Sequence, residues 1–118
     1  RKNGDLLICA GKLAAFYEQN GGTVYYFGKP NQKVYDLCLE YFNNINTKLK
    51  KNNILVVGDS LETDILGANN ANIDSLLIAK GIHSKELFHN DEFSIEKFKN
   101  LTSKFGAFPS FVMNKFIF

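Results

Sequence analysis

Apolar residues follow two patterns along the chain, and these patterns predict strands that alternate with helices. Three short runs of apolar, β-branched and aromatic residues, at 24–27, 54–57 and 75–79, predict strands. The run at 54–57 is continuously apolar, which is typical of a strand covered on both faces of a parallel sheet. A partly alternating tail at 111–118 predicts a last strand.

Helices are predicted in the segments around these strands. The segment 31–49 repeats apolar residues at three- and four-residue steps, and Pro30 fits the first turn of that helix. Thr63 or Asp64 can cap a helix that runs through Ala71, because short polar side chains accept hydrogen bonds from the first N–H groups of a helix. Further helices are predicted at 11–19, 84–89 and 94–104.

This order of elements predicts an α/β fold, with a three-layer, Rossmann-like parallel sheet and flanking helices. In such sheets ligands bind beyond the carboxyl ends of the strands. Two predicted strands end abruptly, the first before Gly28 and Lys29 and the second before Gly58 and Asp59. If both strands belong to one sheet, a cation and a carboxylate project over the same edge.

Composition and charge exclude several classes of protein. The chain has 118 residues, which is enough for one small domain. Lysine and arginine total 14 and aspartate and glutamate total 12, so the net charge of +2 is too small to indicate a nucleic-acid surface. No apolar run approaches the roughly 20 residues that a membrane helix needs. We therefore expect neither a nucleic-acid partner nor a membrane.

The cysteines, histidines and phenylalanines indicate little chemistry of their own. Cys9 and Cys38 are too few for a metal cluster, and we expect reduced, buried thiols in a cytoplasmic chain. His83 and His89 lie six residues apart, off a common helix face, so exposed or capping roles are expected. The phenylalanines that crowd the tail are expected to pack in the core, with an exposed patch as the alternative: Phe105, Phe108, Phe111, Phe116 and Phe118.

The segment 58–64, with the sequence GDSLETD, carries the candidate metal chemistry. Asp59 directly follows a predicted strand, and Asp64 lies five residues later at the start of a predicted helix. Mg²⁺ takes oxygen ligands and prefers few carboxylates together with waters. Gly58 lets the backbone turn without a side chain in the way, and the next helix N-terminus can hold an anion. The alternative is that both aspartates only cap the loop and the helix.

A lysine precedes this segment by thirty residues, again at a strand exit. Lys29 lies in the sequence GKP, where its charge could neutralise a phosphate and an anionic nucleophile. The alternative is a solvated lysine in a turn. The two motifs on successive strand–helix units are more informative than either motif alone.

With both motifs in view, residues 24–83 resemble the C-terminal half of a haloacid-dehalogenase (HAD) superfamily hydrolase. They resemble most the subclass IIA, which contains nitrophenylphosphatase-like and sugar-phosphatase-like enzymes. Lys29 matches the third motif of that family, and GD-x-x-x-T-D matches the fourth with Asp59, Thr63 and Asp64. The resemblance implies that residues 1–23 are the end of a cap domain and that 24–118 are the C-terminal half of the hydrolase core.

The resemblance also implies an activity and a set of roles. Family members hydrolyse small phosphate esters through an aspartyl-phosphate, with Mg²⁺ neutralising charge in the transition state. Carried over to this chain, Lys29 is the catalytic cation, and Gly28, Lys29 and Ser60 bind substrate. Asp59 is an implied metal ligand, and Asp64 is implied either as a second metal ligand or as a group that orients the ligands. A small phosphorylated metabolite is the implied partner.

The first two motifs of the family are missing from the sequence. No D-x-D, which would carry the nucleophilic aspartate, occurs anywhere, and the chain opens on Arg1 without a methionine. The resemblance therefore implies a fragment that lacks the nucleophile-bearing half, and we expect the chain alone to be inactive.

Three other functions are weighed against this one. A non-catalytic half-core could associate with another chain through an exposed sheet edge, and it remains the alternative. A Rossmann-type nucleotide binder is disfavoured, because neither G-x-G-x-x-G nor G-x-x-x-x-G-K-[ST] is present. A receiver-like signalling domain is disfavoured because Lys29 precedes the acidic residues here.

Overall fold

The computed structural model describes residues 8–45 and 49–117 of the chain. No helix in these ranges is long and apolar enough to cross a membrane. In chain order the strands are β1 (Leu55–Gly58), β2 (Asp74–Ile78), β3 (Phe88–His89), β4 (Glu92–Phe93) and β5 (Phe111–Met113). The helices are α1 (Ala10–Gln19), α2 (Gln32–Ile45), α3 (Leu66–Ala71), α4 (Ser84–Leu87) and α5 (Ile95–Phe105).

A three-stranded parallel sheet forms the centre of the fold, in the order β1-β2-β5. Leu55 of β1 lies opposite Asp74 of β2, and Leu76 of β2 lies opposite Phe111 of β5. The central strand is therefore β2, and β1 is an edge strand among the described residues. The strands β3 and β4 form a separate antiparallel pair. This arrangement confirms the predicted α/β fold with a parallel sheet and flanking helices.

The helix starts follow from short polar side chains at their N-termini. Asn31 accepts a hydrogen bond from the Lys33 N–H at the start of α2, and Ser94 accepts one from the Lys97 N–H at the start of α5. Gly106 ends α5 at a φ of +59°, a left-handed conformation that glycine adopts at little cost.

The core consists of two clusters of buried apolar side chains. One cluster joins β2 to the turn before α3 and to α4 and α5, through Leu61, Ile65, Leu77, Ala79, Leu87, Leu101 and Ala107. The other joins α2 to the end of α3, through Tyr35, Ala71 and Ile73, with Val56 of β1 packed against it. Leu61 of the segment 58–64 belongs to the first cluster, so this segment is anchored by a buried side chain.

One face of β1 does not match the expectation for this strand. Val56 packs against the second cluster, but Leu55 and Val57 point to the opposite face and are 46% and 44% exposed. The prediction that this strand is covered on both faces is therefore wrong among the described residues. The name β1 edge is used below for the edge strand β1 together with its exposed face, which carries Leu55 and Val57.

The predicted strand at 24–27 is absent from the structure. Tyr25 and Phe27 are 78% and 50% exposed, and no described strand lies beside this segment. An extended segment needs a neighbour to pair its N–H and C=O groups, and this neighbour is missing here. The predicted strand at 111–118 shortens to β5, and Phe118 lies outside the described residues.

The predicted helices form with shifted ends. The helix predicted at 31–49 is α2, which begins at Gln32 and ends at Ile45. It begins two residues after Pro30, so the prediction that Pro30 lies in its first turn is wrong. Residues 46–48 lie outside the described residues. Ser60, rather than Thr63 or Asp64, caps the next helix, which opens with the π-helical turn Leu61–Ile65 before α3. The helix predicted at 84–89 ends at Leu87, because the chain then enters β3.

Several expectations about burial are also corrected. Cys9 and Cys38 are both exposed rather than buried. Phe108 and Phe111 are exposed and Phe105 packs against the core, so the phenylalanine-rich tail forms largely an exposed patch. His83 is 5% exposed, which excludes an exposed role for this side chain.

Candidate functional site

Three loops meet beside the carboxyl ends of β1 and β2. The first contains Gly28 and Lys29 and precedes α2, the second is the segment 58–64 after β1, and the third is the turn 81–83 after β2. The Lys29 Nζ lies 2.5 Å from the Asp64 Oδ1. The cation and the carboxylates that sequence reasoning singled out therefore lie on one side of the molecule.

Asp64 is the most firmly held of these side chains. Its Oδ1 accepts from the Lys29 ammonium, and its Oδ2 accepts from the Ser60 N–H at 3.1 Å. The Asp64 side chain is 9% exposed whereas that of Lys29 is 54% exposed, so the ion pair is anchored at the carboxylate end. A charge-assisted hydrogen bond of this kind fixes the position of a carboxylate better than a neutral one does.

Asp59 is held on one side only. Its Oδ2 accepts a hydrogen bond of 3.0 Å from the Ile82 N–H in the turn after β2. A Cβ atom on Gly81 would overlap the Asp59 carboxylate, so only glycine allows this turn to pass so close. Within the described residues, the Asp59 Oδ1 accepts no hydrogen bond, so this oxygen is open to a cation or a water.

Ser60 and Gly28 were both predicted to bind substrate. The Ser60 N–H donates to Asp64, and the Ser60 Oγ accepts from the Thr63 N–H at 3.2 Å, so the backbone and one lone pair are used inside the chain. The Ser60 hydroxyl hydrogen has no acceptor among the described residues. The Gly28 carbonyl accepts from the Asn31 N–H, and a Cβ atom added at Gly28 would meet no described atom within 4 Å.

The charges of the site act on the protonation of Lys29. Its hydrogen bond to Asp64 raises the pKa of Lys29 above its usual value of 10.5, against the opposing effect of burial, and the charges of Asp64, Tyr35 and Asp59 raise it further. Lys29 is therefore an ammonium at every physiological pH. Its positive charge is available to an anion that approaches the exposed end of the side chain.

Sequence reasoning missed Tyr35. Its hydroxyl donates to the Asp64 carbonyl at 3.2 Å, and its ring lies so close to Gly67 that a Cβ there would overlap it. Tyr35 thus ties α2, which follows Lys29, to the helix that carries Asp64. The small residue Gly67 inside a predicted helix was the one sequence signal of this close packing.

The donor set determines which metal the site can hold. Among the described residues, no group of three or more histidine, cysteine and acidic side chains could hold a metal ion. The carboxylates of Asp59 and Asp64 in the segment 58–64 offer oxygen ligands, and Mg²⁺ binds to one or two carboxylates while it keeps several waters. The two aspartates therefore fit part of a magnesium site, with further ligands from water, substrate or other protein residues.

Comparison with known proteins identifies the family. The family model described as HAD-hydrolase-like matches residues 26–100, which is more than half of the chain. The chain belongs to the HAD-hydrolase-like family. The matched range contains both Lys29 and the segment 58–64.

This HAD-hydrolase-like chain is also similar to individual proteins. It is 29% identical over 82 residues to the acid sugar phosphatase of Staphylococcus haemolyticus (strain JCSC1435), a match that covers 69% of this chain and 29% of that protein. A haloacid dehalogenase-like hydrolase from Brucella suis 1330 is 28% identical, with a TM-score of 0.66 and coverage of 99% of this chain and 40% of that chain.

Two further solved structures are similar to this chain. A HAD-superfamily protein from Cytophaga hutchinsonii ATCC 33406, described as a possible sugar phosphatase, is 25% identical with a TM-score of 0.68, and the match covers 97% of this chain and 37% of that chain. The p-nitrophenyl phosphatase of Archaeoglobus fulgidus shares the fold, with 19% identity, a TM-score of 0.62 and coverage of 89% of this chain and 35% of that chain. These relatives confirm the predicted HAD relationship and agree with subclass IIA. The chain spans only 29–40% of their lengths.

Proposed function

We propose that this chain is the C-terminal portion of a cytoplasmic, Mg²⁺-dependent phosphatase that acts on small phosphate esters. The observation that carries the proposal is the pairing of Lys29 with Asp64 at 2.5 Å, on the side of the molecule where Asp59 lies. A cation and two carboxylates placed together suit the binding of a phosphate together with a divalent cation. The similarity to an acid sugar phosphatase supports phosphorylated sugars as the substrate class.

Each residue of the site has a proposed role. Lys29 attracts the phosphate and offsets its negative charge through the exposed end of its side chain. Asp59 and Asp64 hold Mg²⁺, which when bound neutralises charge on the phosphoryl group. Ser60 donates its hydroxyl hydrogen to a phosphate oxygen, and Gly28 leaves the approach to Lys29 free of a side chain.

The nucleophile must come from outside these 118 residues. In the proposed reaction an aspartate oxygen forms a bond to phosphorus while the ester bond breaks, and water then releases phosphate from the aspartate. No D-x-D is present in the chain, so its own residues stabilise charge and do not attack. We further propose that residues 1–23 end a cap domain and that 24–118 form half of the hydrolase core.

The proposal is tested by measuring hydrolysis of p-nitrophenyl phosphate with and without Mg²⁺. We expect no turnover by the purified chain, and Mg²⁺-dependent turnover after mixing with the part of the Staphylococcus haemolyticus acid sugar phosphatase that precedes the matched segment. Asp59→Asn is expected to abolish the reconstituted activity. Mg²⁺-dependent hydrolysis by the chain alone, abolished by Asp59→Ala, would show that the nucleophile lies within this sequence.

One observation favours a second function, that of a non-catalytic module which binds another chain. Leu55 and Val57 leave an apolar face on the edge strand β1, and such edges favour pairing with another polypeptide. Formation of a stable complex with the same segment of the acid sugar phosphatase, without any phosphatase activity at saturating Mg²⁺, would favour this function over the first.

A further inference from the structure

His83 is a buried histidine to which the proposed reaction assigns no role. It lies in the turn after β2, and its side chain is 6% exposed and packs against Phe105, with 5.7 Å between ring centroids. Its Nε2 accepts a hydrogen bond of 3.2 Å from the Leu61 N–H, and its Nδ1 lies 2.8 Å from the Glu86 Oε2. Both ring nitrogens therefore have a defined partner.

These two partners determine the protonation of the ring. A backbone N–H can only donate, so the Nε2 that faces Leu61 carries no hydrogen. A carboxylate can only accept, so the Nδ1 that faces Glu86 carries the hydrogen. His83 is thus a neutral imidazole in the Nδ1–H form, and Glu86 favours this tautomer.

The Leu61 N–H is part of the loop that carries Asp59. Three consecutive residues of this loop are fixed by hydrogen bonds: Asp59 accepts from the Ile82 N–H, the Ser60 N–H donates to Asp64, and the Leu61 N–H donates to His83. Two of these bonds run between the loop after β1 and the turn after β2, in opposite directions. A shift of the turn would therefore move Asp59 with it.

We propose that His83, as a neutral Nδ1–H imidazole held by Glu86, is a positioning residue that fixes the Asp59 loop against the turn after β2. The metal part of this inference rests on the proposed function, in which Asp59 binds Mg²⁺. Groups that hydrogen-bond directly to metal ligands affect metal affinity by about 10- to 100-fold when they are removed. His83 acts one step further away, through the Leu61 N–H, so the lower end of this range applies.

The first test reads the tautomer directly in the wild-type chain. The ring ¹⁵N chemical shifts of His83 near neutral pH distinguish a protonated Nδ1 from a protonated Nε2. We expect the Nδ1–H form and slow hydrogen exchange at the Leu61 amide. An Nε2–H ring or a doubly protonated ring would overturn the proposal without any reference to metal binding.

The second test compares two variants at position 83. His83→Gln keeps an oxygen that can accept from the Leu61 N–H, whereas His83→Phe keeps a ring against Phe105 but has no acceptor. In His83→Phe we expect faster exchange at Leu61 and an Mg²⁺ affinity lowered by about tenfold, measured by calorimetry. His83→Gln should restore both quantities to within about threefold of wild type, and His89→Phe, on the exposed strand β3, is the matched control.

The outcomes separate this inference from the proposed function. Equal Leu61 exchange in His83→Phe and wild type would overturn the role of His83. If the wild-type chain binds no Mg²⁺ but the tautomer and the exchange data hold, the positioning of the loop stands and the metal part of the proposed function fails. If His83→Phe does not fold, the wild-type ring ¹⁵N shifts and the Leu61 exchange rate in His83→Gln decide whether His83 has this role.

Discussion

Gly58 shows how much of the site depends on a single missing side chain. It ends β1, and a Cβ atom there would overlap the Asp64 side chain. Asp64 cannot move away without losing its bonds to Lys29 and to the Ser60 N–H. The glycine is thus required for the close approach of the carboxylate to the strand end.

Gly58→Ala is therefore expected to lower the free energy of unfolding by about 1–3 kcal/mol, because it forces extra volume against a fixed group. Urea denaturation measures the change. Gly11→Ala in α1 is the control, since nothing lies within 4 Å of the added atom, and it should leave stability unchanged or raise it by up to about 1 kcal/mol. Equal stability of Gly58→Ala and wild type would mean that Asp64 has another position.

Lys29 predicts a pH dependence of stability at alkaline pH. Its hydrogen bond to Asp64 raises the pKa of Lys29 in the folded chain above the value of 10.5 that the unfolded chain has. A raised pKa means that the contribution of this ion pair is complete below pH 10.5 and is lost as the pH rises through the folded pKa.

The corresponding experiment compares wild type with Lys29→Met by urea denaturation at increasing pH. The difference in unfolding free energy should favour wild type at neutral pH and shrink above pH 10.5, as Lys29 loses its proton. The effect will be small, because the Lys29 side chain is half exposed and solvent screens it. Lys12→Met on α1 serves as the control, and a difference that grows with pH would contradict the ion pair.

At the scale of helices and strands, the sequence predicted elements that depend on neighbouring residues, but it did not predict which distant segments pair. The periodicity of 31–49 predicted α2, and the apolar run 54–57 predicted β1, because both patterns depend on neighbouring residues. The run 24–27 has the composition of a strand but finds no neighbouring strand among the described residues. A strand is a property of two segments, so its own residues cannot decide it.

The same distinction applies to the site. The spacing of Asp59 and Asp64 and the sequence GKP predicted a cation beside carboxylates. The structure places Lys29 against Asp64 across 35 positions of the chain. The contacts of Tyr35 and His83 with backbone groups 29 and 22 positions away had no local signal. Side-chain contacts with a distant backbone depend on how the elements pack, which periodicity does not reveal.

Helix α5 offers a prediction at the scale of one element. Ser94 caps it by accepting a hydrogen bond from the Lys97 N–H, and Leu101 in the middle of the helix packs in the core. Ser94→Ala should lower the free energy of unfolding by about 1 kcal/mol, because the first N–H groups of the helix lose their acceptor. Ser103→Ala, at an exposed position near the other end of α5, is the control and should cost nothing measurable in the same urea denaturation. Equal losses in the two variants would argue against capping.

At the scale of the whole molecule, the β1 edge connects the proposed function to assembly. Asp59 directly follows this edge strand, so a parallel strand added beside β1 would bring its own carboxyl end next to Asp59. This is the place where a nucleophile from another polypeptide could reach a phosphate held by Lys29. Leu55 and Val57 are exposed on one face of β1, and a polypeptide that supplies this strand would also have to cover that apolar face.

A charge on this surface should therefore prevent assembly without unfolding the chain. Val57→Lys is expected to weaken binding to the N-terminal segment of the Staphylococcus haemolyticus acid sugar phosphatase by about tenfold or more, because a buried valine contributes about 1.5–3 kcal/mol and a buried lysine is unfavourable. Titration calorimetry measures the affinity, and urea denaturation of the chain alone should change little, since Val57 is 44% exposed. Ile95→Lys, at an exposed position on α5, carries the same charge away from the sheet edge and should bind as wild type does. Equal weakening by both variants would mean that charge alone opposes assembly, and undiminished binding by Val57→Lys would place the interface on another face.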